Sequence, residues 1–140
     1  MHGCTSFSHE NTIIAVVAGG ILEQTDYEDY YTNYNTTDSV EFLRVDDFSQ
    51  GWYFGPKLPK SMHEFPMLTS PNGLNIMTIG GQEMKTREEV NSIYTMDCKM
   101  QIDQVTPILD TCKWVHLDGL WARTGPVALW LPENIDISCD

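Results

Sequence analysis

The stretch IIAVVAGG at residues 13–20, and its echo LNIMTIGG at residues 74–81, decide how this chain reads. Each is an apolar, β-branched run that stops at two adjacent glycines, and the second glycine pair follows the first by 61 positions. Other landmarks recur in the same order. Ser39-Val40 returns as Ser92-Ile93, and Trp52 falls one residue from Trp114 on that shift. An ordered set of landmarks seen twice is a repeat, and repeats of this length belong to stacked or radial architectures. Within each unit the ordered runs are short: GCTSFS, TIIAVVAGG, SVEFLRVD and GWYFGPKL in the first, EFPMLTS, LNIMTIGG, NSIYTMD and KWVHLDGL in the second. They are rich in Val, Ile, Thr, Phe, Tyr and Trp and are separated by turn chemistry such as SPNG and SQG, which predicts strands. No segment sustains an i, i+3, i+4, i+7 apolar stripe, so almost no helix is expected.

Composition bounds the function. A chain of 140 residues with 41% hydrophobic side chains can bury a core. A formal charge of −12 repels phosphate backbones and anionic lipid, which argues against nucleic acid as a partner. The longest apolar run, Ile13–Ala18, is far short of the roughly 20 residues a membrane helix needs, so no membrane insertion is expected. The first residues, MHGCTSFSHEN, carry neither a positive n-region nor an apolar h-region, and no signal peptide is expected within them.

An apolar strand ending in Gly-Gly, a variable connection, a Ser-x-Val-Glu-type strand, then Trp followed by Leu-Pro resembles the kelch repeat, the four-stranded blade of kelch-type β-propellers. The first unit carries Gly19, Gly20, Ser39, Val40, Glu41, Trp52, Gly55, Pro56, Leu58 and Pro59. The second carries Ile79, Gly80, Gly81, Ser92, Ile93, Tyr94 and Trp114, with Tyr94 in place of the acid and no proline after Leu117. The resemblance implies an all-β fold: two four-stranded antiparallel kelch-type blades plus one extra strand, an open part of a β-propeller. Residues 1–60 form the first blade, 61–121 the second, 122–132 an inner strand of a further blade led by Arg123, and 133–140 a tail. It also implies a C-terminal portion whose remaining blades come from the same polypeptide, since rings close with 4 to 8 blades. The glycine pairs suit strand ends that bend or admit a neighbour's backbone. Each tryptophan offers an apolar face between adjacent blades and an indole N–H that reaches a loop carbonyl.

The most conspicuous segment outside the repeat is LEQTDYEDYYTNYNTTDS, residues 22–39, with five acids, four tyrosines and no base. It is expected as a long solvated loop at one face of the propeller. Tyr27, Tyr30, Tyr31 and Tyr34 offer rigid amphipathic contact area there, and Glu28 and Asp29 select a basic protein partner, with a glycan as the other candidate. Asp26, Glu28 and Tyr30 alternate like the start of a calcium loop, but Tyr31 stands where a glycine must turn, so no metal site is expected. Cys98 and Cys112 bracket the connection between the last two strands of the second unit, a hairpin spacing that suits a disulfide. With the glycosylation acceptor Asn35-Thr36-Thr37, this favours a secreted or extracellular protein over a cytoplasmic one.

No nucleophile elbow, phosphate loop or H-E-x-x-H motif is present, and no catalytic residue or cofactor is expected. The chain therefore reads as a non-catalytic interaction module. The alternative is the C-terminal fragment of a propeller enzyme, copper oxidase-like or glycan-acting, whose active residues lie in other blades; its arginines Arg44, Arg87 and Arg123 are too few for the cluster that a sialidase-like site needs.

Overall fold

A computed structural model of the chain describes residues 2–9, 12–26, 31–71, 75–84, 86–97 and 112–117. These residues form ten strands and one short 3₁₀ turn, Phe48–Gln50. The first sheet is an antiparallel meander of β1 (Gly3–His9), β2 (Thr12–Ala18), β5 (Val40–Arg44) and β6 (Trp52–Phe54). The second repeats that order with β7 (Met67–Thr69), β8 (Asn75–Ile79), β9 (Ile93–Asp97) and β10 (Lys113–Leu117). Between β2 and β5 the chain makes a separate two-stranded ribbon, β3 (Ile21–Asp26) with β4 (Tyr31–Thr36). The all-β character expected from the sequence is therefore the character of the fold, and neither four-stranded sheet closes on itself. Arg123, the strand expected over 122–132 and the tail at 133–140 lie outside the described residues.

Register makes the repeat physical. Ala15 pairs with Leu43, which pairs with Trp52; in the second sheet Ile76 pairs with Met96, which pairs with Trp114. The rows next to them match as well, with Val17 and Glu41 corresponding to Thr78 and Tyr94. The loop bond that locks the second strand to the third is also repeated: Gly19 N–H donates to the Ser39 carbonyl at 2.9 Å, and Gly80 N–H to the Ser92 carbonyl at 3.1 Å.

The two sheets stack front to back, as the alternation of side chains across each strand requires. In the first sheet the buried face carries Phe7, Ile14, Val16, Ala18, Val40 and Phe42. In the second it carries Met67, Ile76, Thr78, Tyr94 and Met96, the register counterpart of the first sheet's other face. One apolar cluster joins both sets. Along the β1–β7 seam, the Thr5 and Thr69 hydroxyls hydrogen-bond at 2.9 Å, and Thr69 Oγ1 also donates to the Ser6 carbonyl at 2.8 Å. Burial of side chains the size of Phe42 or Met96 stabilises the fold by about 1.5–3 kcal/mol each.

The strap between the sheets, Met62–Phe65, explains the glycine pairs. All four glycines hold positive φ, from 60° to 115°. Gly20 N–H donates to the Met62 carbonyl at 2.9 Å, and His63 and Gln82 exchange both backbone bonds at 2.9 Å. A Cβ on Gly19 would lie 2.5 Å from the Met62 carbonyl oxygen, and one on Gly81 would lie 3.0 Å from that of His63. Each diglycine is thus a corner against which one connecting backbone runs. Phe65, Met62 and His63 are buried under it.

The two tryptophans differ. Trp114 packs on the core and its Nε1–H donates to the Pro56 carbonyl at 2.9 Å, the loop-carbonyl contact expected for it. Trp52, at the matching position, is 48% exposed and has no hydrogen-bonded indole among the described residues. The expectation that both wedge between sheets holds only for Trp114. The cause is order in the stack: Trp114 faces the first sheet, whereas no described element lies over the face that carries Trp52.

Candidate functional site

The segment expected as an irregular loop over residues 22–39 instead holds the β3–β4 ribbon, and this is a correction to the sequence reading. Its roots lie in the first diglycine corner. Gly19 and Gly20, at φ 60° and 111°, turn the chain out of β2, and Gly20 accepts the Thr37 N–H at 3.0 Å to close the base of the ribbon. The return is fixed by Thr37 Oγ1, which accepts the Ser39 N–H at 3.1 Å, and by Asp38, whose carbonyl accepts the Leu58 N–H at 2.8 Å. The Asp38 carboxylate also takes Lys57 Nζ at 3.1 and 3.3 Å. Leu58 is buried, so the root is tied to the core while the ribbon pairs only with itself.

Along the ribbon Tyr34 stands opposite Glu23 and Tyr31 opposite Asp26, so both tyrosines sit at ladder positions facing acids. Asn35, opposite Leu22, is exposed, as a modified asparagine must be. Tyr27, Glu28, Asp29 and Tyr30 lie at the tip, outside the described residues. Glu23 and Asp26 on β3, with Glu28 and Asp29 in the connection to β4 and no base from residue 21 to 36, give this segment one sign of charge, which favours a basic partner and raises its encounter rate at low salt.

The remaining named residues fall elsewhere. Gly19, Gly20, Gly80 and Gly81 form the two corners, and Glu41 lies on the outward face of the first sheet between Val17 and Phe54. Cys112 is buried just before β10 and is not a free thiol, whereas Cys4 on β1 is free and exposed; Cys98 is outside the described residues. Arg44 is held in a two-point ion pair with Asp46 at 3.0 and 2.8 Å, which lowers the Asp46 carboxylate below its ordinary range. Asp47 is likewise held low, chiefly by the Ser49 hydroxyl, as it caps the 3₁₀ turn. Arg87, at φ 56°, lies in the connection between β8 and β9. Arg44 and Arg87 therefore belong to separate local structures.

Sequence reasoning missed one surface: the outward face of the first sheet, where Ile13, Trp52 and Phe54 are 50%, 48% and 80% exposed beside Ala15, Val17 and Leu43. The signal was present in IIAVVA, residues 13–18, an unbroken apolar run of the kind that marks a strand covered on both faces. Among the described residues no group of three His, Cys, Asp or Glu side chains converges to hold a metal, and no helix is long and apolar enough to cross a membrane. No protein-family profile matches the chain, and no curated protein matches its sequence.

Proposed function

We propose that this chain is a non-catalytic interaction module, part of a kelch-type propeller, that captures a basic protein partner with its β3–β4 ribbon. The observation that carries the reading is the ribbon itself: a self-paired, acid- and tyrosine-rich hairpin rooted in the core at Gly20, Asp38 and Leu58 but not hydrogen-bonded into either four-stranded sheet. A hairpin whose base is fixed to the core starts from a defined position, which reduces the ordering cost of its paired strands on binding. Tyr27, Tyr30, Tyr31 and Tyr34 supply the contact area, and Glu28 and Asp29 select the charge of the partner.

Support for the kelch-type part lies in the two meanders of identical strand order, each with its second strand closed by Gly-Gly and locked to the serine before the third. Two units leave outer faces open, and stacks of this kind bury them with further units. An oxidising compartment belongs to the same reading. Cys112 is buried and engaged, the β9–β10 ladder runs up to the Asp97–Lys113 pair adjoining Cys98 and Cys112, and Asn35 is exposed for a glycan. On this reading Cys98 and Cys112 form a disulfide, to be detected as a mass two hydrogen atoms lower before reduction than after it; free thiols at both positions would remove it.

The test of the ribbon uses a displayed library of short peptides. Peptides enriched on the intact chain should be rich in Arg and Lys. They should lose at least about tenfold in affinity when Tyr27, Tyr30, Tyr31 and Tyr34 are all changed to alanine, a hot-spot loss of 1.4 kcal/mol or more. Unfolding should be cooperative in both forms. Peptides that bind the variant equally would make the ribbon a spacer.

A further inference from the structure

The face of the first sheet that carries Trp52 is the register counterpart of the face that the second sheet buries. Ala15, Leu43 and Trp52 stand where Ile76, Met96 and Trp114 stand, and Ile76 and Met96 are buried while Trp114 packs on them. What covers the second sheet's face is the first sheet's opposite face, carrying Val16, Ala18, Val40, Phe42 and Tyr53. The counterpart of that covering face also exists on this chain. It is the outward side of the second sheet, with Met77, Ile79, Ile93 and Thr95, and with Val115 and Leu117 exposed. The molecule thus contains one contact made between its own two sheets, and holds both halves of a second such contact unmade, one at each end of the stack.

We propose that a second copy of this chain docks head to tail on the Trp52 face, laying its Met77–Ile93–Val115 face over Ala15, Leu43 and Trp52. Three features of the molecule favour a like copy. The interface has a finished example in the same molecule; the two open faces are its two complementary halves; and the first face pairs a row of apolar residues with a donor, the half-exposed Trp52 indole, that has no acceptor among the described residues. A contact between unlike faces is heterologous, so it either closes into a ring or runs on as a fibre. It opposes the charge of −12 on each copy, so salt, which shortens the screening length to about 8 Å at physiological strength, should strengthen it. This inference is independent of what the ribbon binds.

The experiment is sedimentation velocity on the full chain and two surface variants. Phe54→Lys alters the first face at an 80% exposed side chain and Val115→Lys the second at a 39% exposed one, so both are expected to fold, with circular dichroism as the check. The wild-type chain should associate with rising concentration, more strongly at high salt. Each variant alone should lose association at least about tenfold, and an equimolar mixture should regain a one-to-one pair, because each partner keeps the face that the other lacks. A wild-type chain that remains monomeric up to about 1 mM overturns the proposal. So does association that Val115→Lys leaves intact, the mark of Trp52 faces meeting each other or of a third surface, and so does a mixture that stays monomeric while the wild type associates.

Discussion

Trp52 and Trp114 occupy the same rung of two like sheets, yet one lies half in solvent and the other packs on the core with its indole bonded to Pro56. The pairings around them match position for position, so strand register does not set the difference. Position in the stack does. A face is buried when another sheet lies on it, and the same pleated surface, one unit earlier in the chain, is left open. Burial in a repeat is a property of neighbours, with local strand pattern supplying only the capacity to be buried.

The comparison is broken or sharpened most strongly at the corners. Gly19→Ala puts a Cβ 2.5 Å from a backbone oxygen at φ 60°, and should cost about 2–5 kcal/mol in urea unfolding, from left-handed strain together with overpacking. Gly51→Ala, at φ 69° and ψ −161° with open space around it, should cost about 1–3 kcal/mol, since strain acts there without a clash. Equal costs at the two positions would mean that the Met62 strap does not press on the corner.

Next come the matched core rows. Met96→Ala should destabilise by about 2–5 kcal/mol, and Leu43→Ala, its counterpart on the open face, by less than half as much. A smaller and opposite effect is expected at Thr78, fully buried with its hydroxyl unpartnered among the described residues, where the first sheet has Val17. Thr78→Val removes an unsatisfied polar group and should stabilise by about 1 kcal/mol; a loss of stability would show that the hydroxyl has a partner. Smallest is the ionic tie of Lys60 to Glu88 at 2.9 Å, a surface pair worth under about 1 kcal/mol. The Lys60 ammonium is raised above 10.5, mainly by its hydrogen bond to Glu88, so its contribution is full below that value and is lost as the pH climbs through the raised one. A Lys60→Met chain should unfold at a lower midpoint than the wild type at neutral pH, and the difference should shrink at such alkaline pH.

Much of this architecture was legible. Eight apolar runs bounded by turn residues gave all eight strands of the two sheets, because a covered strand announces itself by β-branched density. The diglycines were legible as corners, since positive φ and close backbone approach both select against Cβ. The β3–β4 ribbon was not legible. Its strands, ILEQTD and YTNYNT, show no sustained apolar–polar alternation to read, and the acid-rich composition argued for a loop. Nor was the exposure of Trp52 legible. A tryptophan made to be covered looks the same in sequence whether or not a neighbour is there.

The central claim is that matched faces differ only by what lies on them, and hydrogen exchange at the two indole N–H groups tests it most directly. At a concentration where the chain is monomeric, NMR should find the Trp114 Nε1–H protected and the Trp52 Nε1–H exchanging at close to the rate of a free indole. Equal protection of both, or faster exchange at Trp114, would contradict the front-to-back stack.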